Sequence, residues 1–224
     1  MDPRRLAERL FIIVVFFGLF LFLPAGTLAW PRAWIFLAVS AATNLIGLLV
    51  LARLRPEIFA ARRRLQPGTK RWDYILLTFL FVAMSATFLV AGLDAERFHW
   101  SAQPAWTLWL GYGIYLFGSM LFTYCQIVNK FFEPGVRIQS DRSHHVIDRG
   151  PYRIVRHPGY VGACSIFIGT ALALGSLWAL VPASGICLLL VIRTTAEDQT
   201  LRTELRGYQD YAQRVRFRWL PGLW

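Results

Sequence analysis

The 224-residue chain is 56% hydrophobic and 15% aromatic, yet it carries a formal net charge of +11. That apolar share is high for a soluble domain, and the charges cluster between apolar runs instead of interleaving with aromatics on one solvated face. Nucleic-acid binding is therefore disfavoured, and an all-α polytopic membrane protein in a single membrane domain is expected.

Arginine outnumbers lysine 22 to 2, a bias typical of GC-rich coding that points to a bacterial inner membrane. Cys125, Cys164 and Cys187 are far apart, odd in number and inside apolar runs. Neither a disulfide framework nor a metal site is indicated.

The first apolar span, Leu10 to Leu28, follows a basic start with Arg4, Arg5 and Arg9. It is longer than a signal-peptide core and lacks a small-residue cleavage site, so it is expected to stay. Ala33 to Ala52 form the second span, in which Asn44 is expected to bond another helix or backbone. The charged connector from Arg53 to Arg71 cannot cross hydrocarbon and reads as a topology determinant at the membrane surface. Trp72 to Leu93 and Trp106 to Val128 form the third and fourth spans, separated by the loop DAERFHWSAQP. Gly111, Gly113 and Gly118 in the fourth suit close helix packing.

From Asn129 to Arg156 the chain is polar for 28 residues, too long and too rich in titratable groups for a mere connector. A fifth run, Pro158 to Leu174, and a sixth, Leu177 to Ile192, are joined by Gly175 and Ser176. They predict a tight helical hairpin. From Arg193 to Trp224 the tail reads as an amphipathic helix ending in the interfacial RWLPGLW. Six spans would put 22 of the 24 basic residues on one side and only Arg32 and Arg97 on the other. That asymmetry predicts cytoplasmic termini, loop and tail.

Within the hairpin, helical rise puts His157 about 27 Å from Gly175, and Glu197 about 32 Å from Ser176. The two charged motifs thus return to similar heights, with Pro182 a possible bend. Pro158 suits the first turn of a helix, where its missing N–H costs nothing. Free N–H groups there, with Arg153 and Arg156 near, predict an anion site. Glu197 and Asp198, on the C-terminal side of the returning helix, oppose its macrodipole and would favour a cationic ligand. Simple ion pairs at i,i+4, Arg193 with Glu197 or Asp198 with Arg202, are the competing reading.

The string GPYRIVRHPGYVG, from Gly150 to Gly162, followed one hairpin later by Glu197 and Asp198, resembles the signature of the isoprenylcysteine carboxyl methyltransferase and phospholipid methyltransferase superfamily. The resemblance spans about Asn129 to Trp224. It implies S-adenosylmethionine as cofactor, bound through Arg156, His157, Pro158, Tyr160, Gly162, Glu197 and Asp198, with Asp198 standing where the family has a second glutamate. Some phospholipid methyltransferases use a Gly-x-Gly near the cofactor, which is the alternative to close packing for Gly111 and Gly113. His145 matches the histidine upstream of GPY and is the candidate base for an amine or thiol acceptor. A carboxylate acceptor needs only a cationic guide, such as Arg153 or Arg137.

Helix ends beside apolar spans suit a lipophilic acceptor entering from the bilayer among membrane lipids. The family implies a prenylcysteine carboxylate, with phosphatidylethanolamine or another lipophilic amine, thiol or phenol as alternatives. An NADPH-dependent membrane reductase is a more distant alternative, and a binding or transport protein the remaining one. Oligomeric state is open.

Overall fold

The computed structural model of the chain describes residues 3–224, with side chains from Phe11 onward except Ile13 and Phe17. The basic side chains of Arg4, Arg5 and Arg9 lie outside the described set. Among the described residues there are helices and turns but no strands. The α-helices are α1 (Pro3–Ala25), α2 (Pro31–Leu54), α3 (Ile58–Ala61), α4 (Arg71–Gly92), α5 (Ala105–Val128), α6 (Pro158–Leu174), α7 (Leu180–Glu204) and α8 (Tyr208–Arg214).

Four of these segments are long and apolar enough to cross a membrane: α2, α4 with its extension to Phe98, α5 and α7. Val14–Ala25 and α6 are shorter apolar stretches. Side chains such as Ile46, Phe79, Trp109, Met120 and Leu188 are exposed on the helices. Such a surface is unfavourable in water and natural against lipid. The architecture is that of a polytopic membrane protein.

The boundaries follow local chemistry. Pro31 and Pro158 occupy first-turn positions of α2 and α6, where no N–H is needed. α6 stops at Gly175, which adopts a left-handed conformation (φ 85°) and sends its N–H back to Leu172 O, a common glycine helix stop. Pro182 falls in the first turn of α7, so it is accommodated at the helix start.

Two stretches differ from the sequence expectation. Leu93–Phe98 continues α4 as a π-helical turn, because Asp94 is drawn fully inside. Its carboxylate accepts from Ser101 N and Oγ, Ser176 Oγ and Trp178 N. It thereby fastens the loop to the far end of the hairpin. The tail is also different. Arg193 to Glu204 simply prolong α7, α8 is only seven residues long, and the chain beyond it folds back onto the start of α6.

α5 and α6 pack along their whole length, which their glycines permit. A Cβ at Gly118 would stand 2.6 Å from Gly162 O, and one at Gly162 2.9 Å from Gly118 O. Gly111 is pressed in the same way against Ala173, whereas Gly113 faces open space. Asn44 bonds within its own helix, to Ser40 O.

Gly118→Ala is expected to lower the thermal unfolding midpoint in detergent by several degrees, since overpacking a tight contact costs about 1–3 kcal/mol. Gly113→Ala should be neutral. Equal midpoints for the two variants would contradict the glycine seam.

Candidate functional site

At the hairpin end that carries most of the basic residues, the loop 129–156 and helices α6 and α7 enclose a cavity of about 300 Å³. That lies at the small end of the usual range for ligand pockets. Its walls include His157, Tyr160 and Glu197, brought together as the hairpin arithmetic anticipates. The Tyr160 hydroxyl donates to Glu197 Oε2. His157 and Tyr160 stack with their ring planes 3° from parallel. His157 Nε2 is buried without a hydrogen-bond partner among the described residues, although Asp198 Oδ1 stands 3.5 Å away.

Arg156 also borders the cavity, but its donors are committed. Nε and Nη2 reach Asp198 at 2.8 and 3.2 Å, and Nη1 donates to Val215 O and Arg216 O. The backbone N–H groups of Arg156 and His157 donate to Phe217 O and Arg218 O. The anion site expected from these groups at the start of α6 is therefore filled by the chain's own tail. Arg153 lies exposed on the 3-10 turn Gly150–Arg153 and does not reach the cavity.

Asp198 is 1% exposed and lies behind the wall, not on it. It gathers Arg156, Arg202 (3.0 Å), Arg218 (3.5 Å) and the Tyr208 hydroxyl (2.8 Å). Since α7 runs on to Glu204, neither Glu197 nor Asp198 sits in the last turn, where the macrodipole acts most strongly. Direct donors satisfy Asp198. Pro158 and Gly162 are likewise absent from the cavity wall. Pro158 starts α6, and Gly162 belongs to the seam with α5.

Of the two i,i+4 pairs considered, Asp198–Arg202 forms. Arg193 pairs instead with Asp73 on α4, by bonds of 2.7 and 2.9 Å. Asp73 is fully buried and also accepts from Val136 N at 2.7 Å, while Lys70 N donates to Val136 O. This clamp fixes the loop against α4. The sequence signal for Asp73 was faint: one acid in the first turn of a span, with its partner 120 residues away.

The loop supplies the remaining wall. Glu133, nearly buried, is paired with Arg137 at 2.8 Å, and Arg137 reaches on to Asp141 at 2.7 Å. His145, at the cavity edge, has Nδ1 2.9 Å from Ser143 O and packs edge-on against Phe131. A carbonyl only accepts, so Nδ1 carries the hydrogen and Nε2 the lone pair. His144, singled out by no motif, accepts from Gln139 N through Nδ1 at 3.3 Å. Burial, then the nearby His145, Arg137 and Arg142, push its pKa down to about 4. Among the described residues no group of three or more His, Cys, Asp or Glu could hold a metal.

Residues 106–205 match the phospholipid methyltransferase family. Relatives described as probable protein-S-isoprenylcysteine O-methyltransferases from Oryza sativa subsp. indica and subsp. japonica are each 34% identical over 87 residues. The matched stretch is 36% of this chain and 43% of each relative. The chain thus spans less than half the length of the curated relatives it matches. Both findings support the superfamily that the Gly150–Gly162 string resembles.

His144 is neutral in the folded chain down to about pH 4, against 6.5 when unfolded. Its contribution to stability is therefore complete above about pH 6.5 and is lost as the pH falls toward 4. Thermal unfolding in detergent across that window should show a shallower decline for His144→Gln than for the parent chain. Identical slopes would contradict this protonation state.

Proposed function

From the family match over residues 106–205, we propose that this chain is an S-adenosylmethionine-dependent methyltransferase acting on a lipophilic acceptor at the cytoplasmic face of a bacterial inner membrane. The observation that carries the reading is the meeting of His157, Tyr160 and Glu197 in one cavity inside that matched region.

These residues fit the cofactor chemically. Among the described residues Glu197 has no cationic side chain bonded to it, only the Tyr160 hydroxyl, so its carboxylate is available to an ammonium or sulfonium. His157 lines the cavity with its ring stacked on Tyr160, while its Nε2 lies 3.5 Å from Asp198 Oδ1 behind the wall. Arg156, Pro158, Gly162 and Asp198 support this wall by position: Arg156 and Asp198 lock it, Pro158 begins its helix and Gly162 lets α5 close behind it.

The bound cofactor would supply an electrophilic methyl group. The protein's share is orientation and exclusion of water, because in-line transfer needs the nucleophile held at about 3–3.5 Å. Tyr160 fixes Glu197, and the tail crossing from Val215 to Trp219 covers the start of α6. Trp219 pins that tail by donating from Nε1 to Thr194 Oγ1 at 2.8 Å. For an amine or thiol acceptor, the lone pair on His145 Nε2 supplies the base. A carboxylate acceptor needs none.

Apolar helix faces beside the cavity support lateral entry of an acceptor whose body stays in lipid. The prenylcysteine carboxylate is the preferred acceptor on kinship with the rice relatives, and phosphatidylethanolamine the alternative on the family match. The basic residues gathered at this end support a cytoplasmic placement.

S-adenosylhomocysteine should bind the purified protein in calorimetric titration and raise its unfolding midpoint. Glu197→Gln and His157→Ala should each weaken that binding about tenfold or more, on the scale of a lost charge-assisted or buried hydrogen bond. His99→Ala, at the other end of the molecule, should not. Binding of NADPH in place of either adenosyl compound would overturn the proposal. Radiolabelled methyl should appear in a lipid or prenylcysteine fraction. Base-labile label would identify an ester, alkali-stable label an N-methyl product, and label confined to soluble metabolites would refute lateral entry.

A further inference from the structure

Six charged side chains border the cavity: Arg62, Glu133, Arg137, Arg156, Arg193 and Glu197. Four are held in ion pairs, Glu133 with Arg137, Arg156 with Asp198 and Arg193 with Asp73. Among the described residues, one anion, Glu197, and one cation, Arg62, have no opposite charge bonded to them. Glu197 is accounted for by the proposed cofactor. Arg62 is not.

Arg62 comes from the connector between α2 and α4, just past α3, a segment whose charges read as lipid-facing in the sequence. Its neighbours Arg63 and Arg64 are indeed exposed, but Arg62 is half-buried. The guanidinium carbon lies 5.3 Å from the Phe132 ring centre and 5.9 Å from that of Phe122. Both are favourable cation–π distances, yet rings offer none of the acceptors that its five N–H donors can use, and among the described residues no side-chain carboxylate is bonded to them. Burial, and then repulsion from Arg193, lower its pKa to about 10. It remains charged at neutral pH.

Phe122 has a second side. It also borders another cavity, of about 320 Å³, enclosed mainly by α2, α5 and α6 and walled by Phe36, Leu48 and Phe167. Arg62 therefore stands where the polar site meets the apolar interior. An anion there would complete the cation's hydrogen bonding, and its apolar body would have a place on the far side of Phe122.

We infer that Arg62 receives the anionic group of the methyl acceptor, a carboxylate or a phosphodiester, and so selects lipophilic acceptors that carry a negative charge. The assignment rests on the methyltransferase reading. It replaces the cationic guides expected at Arg153, which is on the surface, and Arg137, which is engaged by Glu133 and Asp141. With a carboxylate acceptor, its oxygen forms the new C–O bond as the S–CH₃ bond breaks and that bond's electron pair stays on sulfur. No proton moves. The ester is neutral, so Arg62 holds substrate better than product, which favours release. With a phosphodiester the anion is an anchor only, and a neighbouring amine is methylated and then loses a proton to His145.

The test uses the full chain in nanodiscs with S-farnesyl-N-acetylcysteine and phosphatidylethanolamine as alternative acceptors. The farnesylcysteine carboxamide and oleylamine serve as counterparts without the anion. Whichever acceptor is labelled, Arg62→Gln should raise its KM tenfold to about a hundredfold. The S-adenosylhomocysteine Kd should stay within about twofold, Arg62→Lys should recover part of the loss, and Arg63→Gln should have no effect. The parent chain should itself bind the anionic acceptor more tightly than its counterpart, read for the carboxamide, which cannot be methylated, as its inhibition constant against the acceptor's KM, a measurement that holds even if Arg62→Gln does not fold. An unchanged KM, no preference in the parent, or weakened S-adenosylhomocysteine binding in its place would overturn the assignment. The last result would give the anion to the cofactor. Failure of the parent chain to bind S-adenosylhomocysteine at all would instead remove the methyltransferase reading and this inference with it.

Discussion

Burial of one carboxylate, that of Asp198, constrains the whole basic end of the molecule. A charge 1% exposed can persist only if donors surround it. Here the donors come from four places in the chain: Arg156 before α6, Arg202 one turn on along α7, Tyr208 on α8, and Arg218 in the tail. They meet only when the hairpin has closed and the tail has folded across it. The same guanidinium that binds Asp198 also holds Val215 O and Arg216 O, so ion pair and tail position are a single arrangement.

Glu197 and Asp198 are adjacent in sequence, yet one faces the cavity and the other the ion cluster behind it. On a helix with 3.6 residues per turn, neighbours point about 100° apart. A wall one helix thick therefore has a cavity side and a supporting side. Asp73 and Arg193 repeat the device nearby, fastening the 134–136 backbone to α4 while Arg193 still borders the cavity. Consuming charges in pairs makes the exceptions, Glu197 and Arg62, chemically distinct.

Behind this wall, α5 approaches α6 so closely that their glycines touch backbone to backbone. In lipid no hydrophobic force draws helices together, so close packing has to do so. Gly162 thus serves the site from a distance. It sets how near Phe122, which borders both cavities, can come to α6.

The sequence by itself determined the membrane class, the span of α6 to the residue, the glycine turn after it, and the return of Glu197 to the height of His157. All of these follow from local periodicity, proline and glycine stereochemistry, and helical rise, which need no partner. Only the tertiary structure decided that Asp198 and Arg156 spend their charges on each other and the tail, that Arg193 chooses Asp73 over Glu197, and that Arg62 turns inward while Arg63 and Arg64 stay out. Those outcomes depend on which side chains from distant segments reach the same buried volume. A charged residue's partner is selected there by the cost of leaving either one unpaired, and sequence spacing carries no record of that competition.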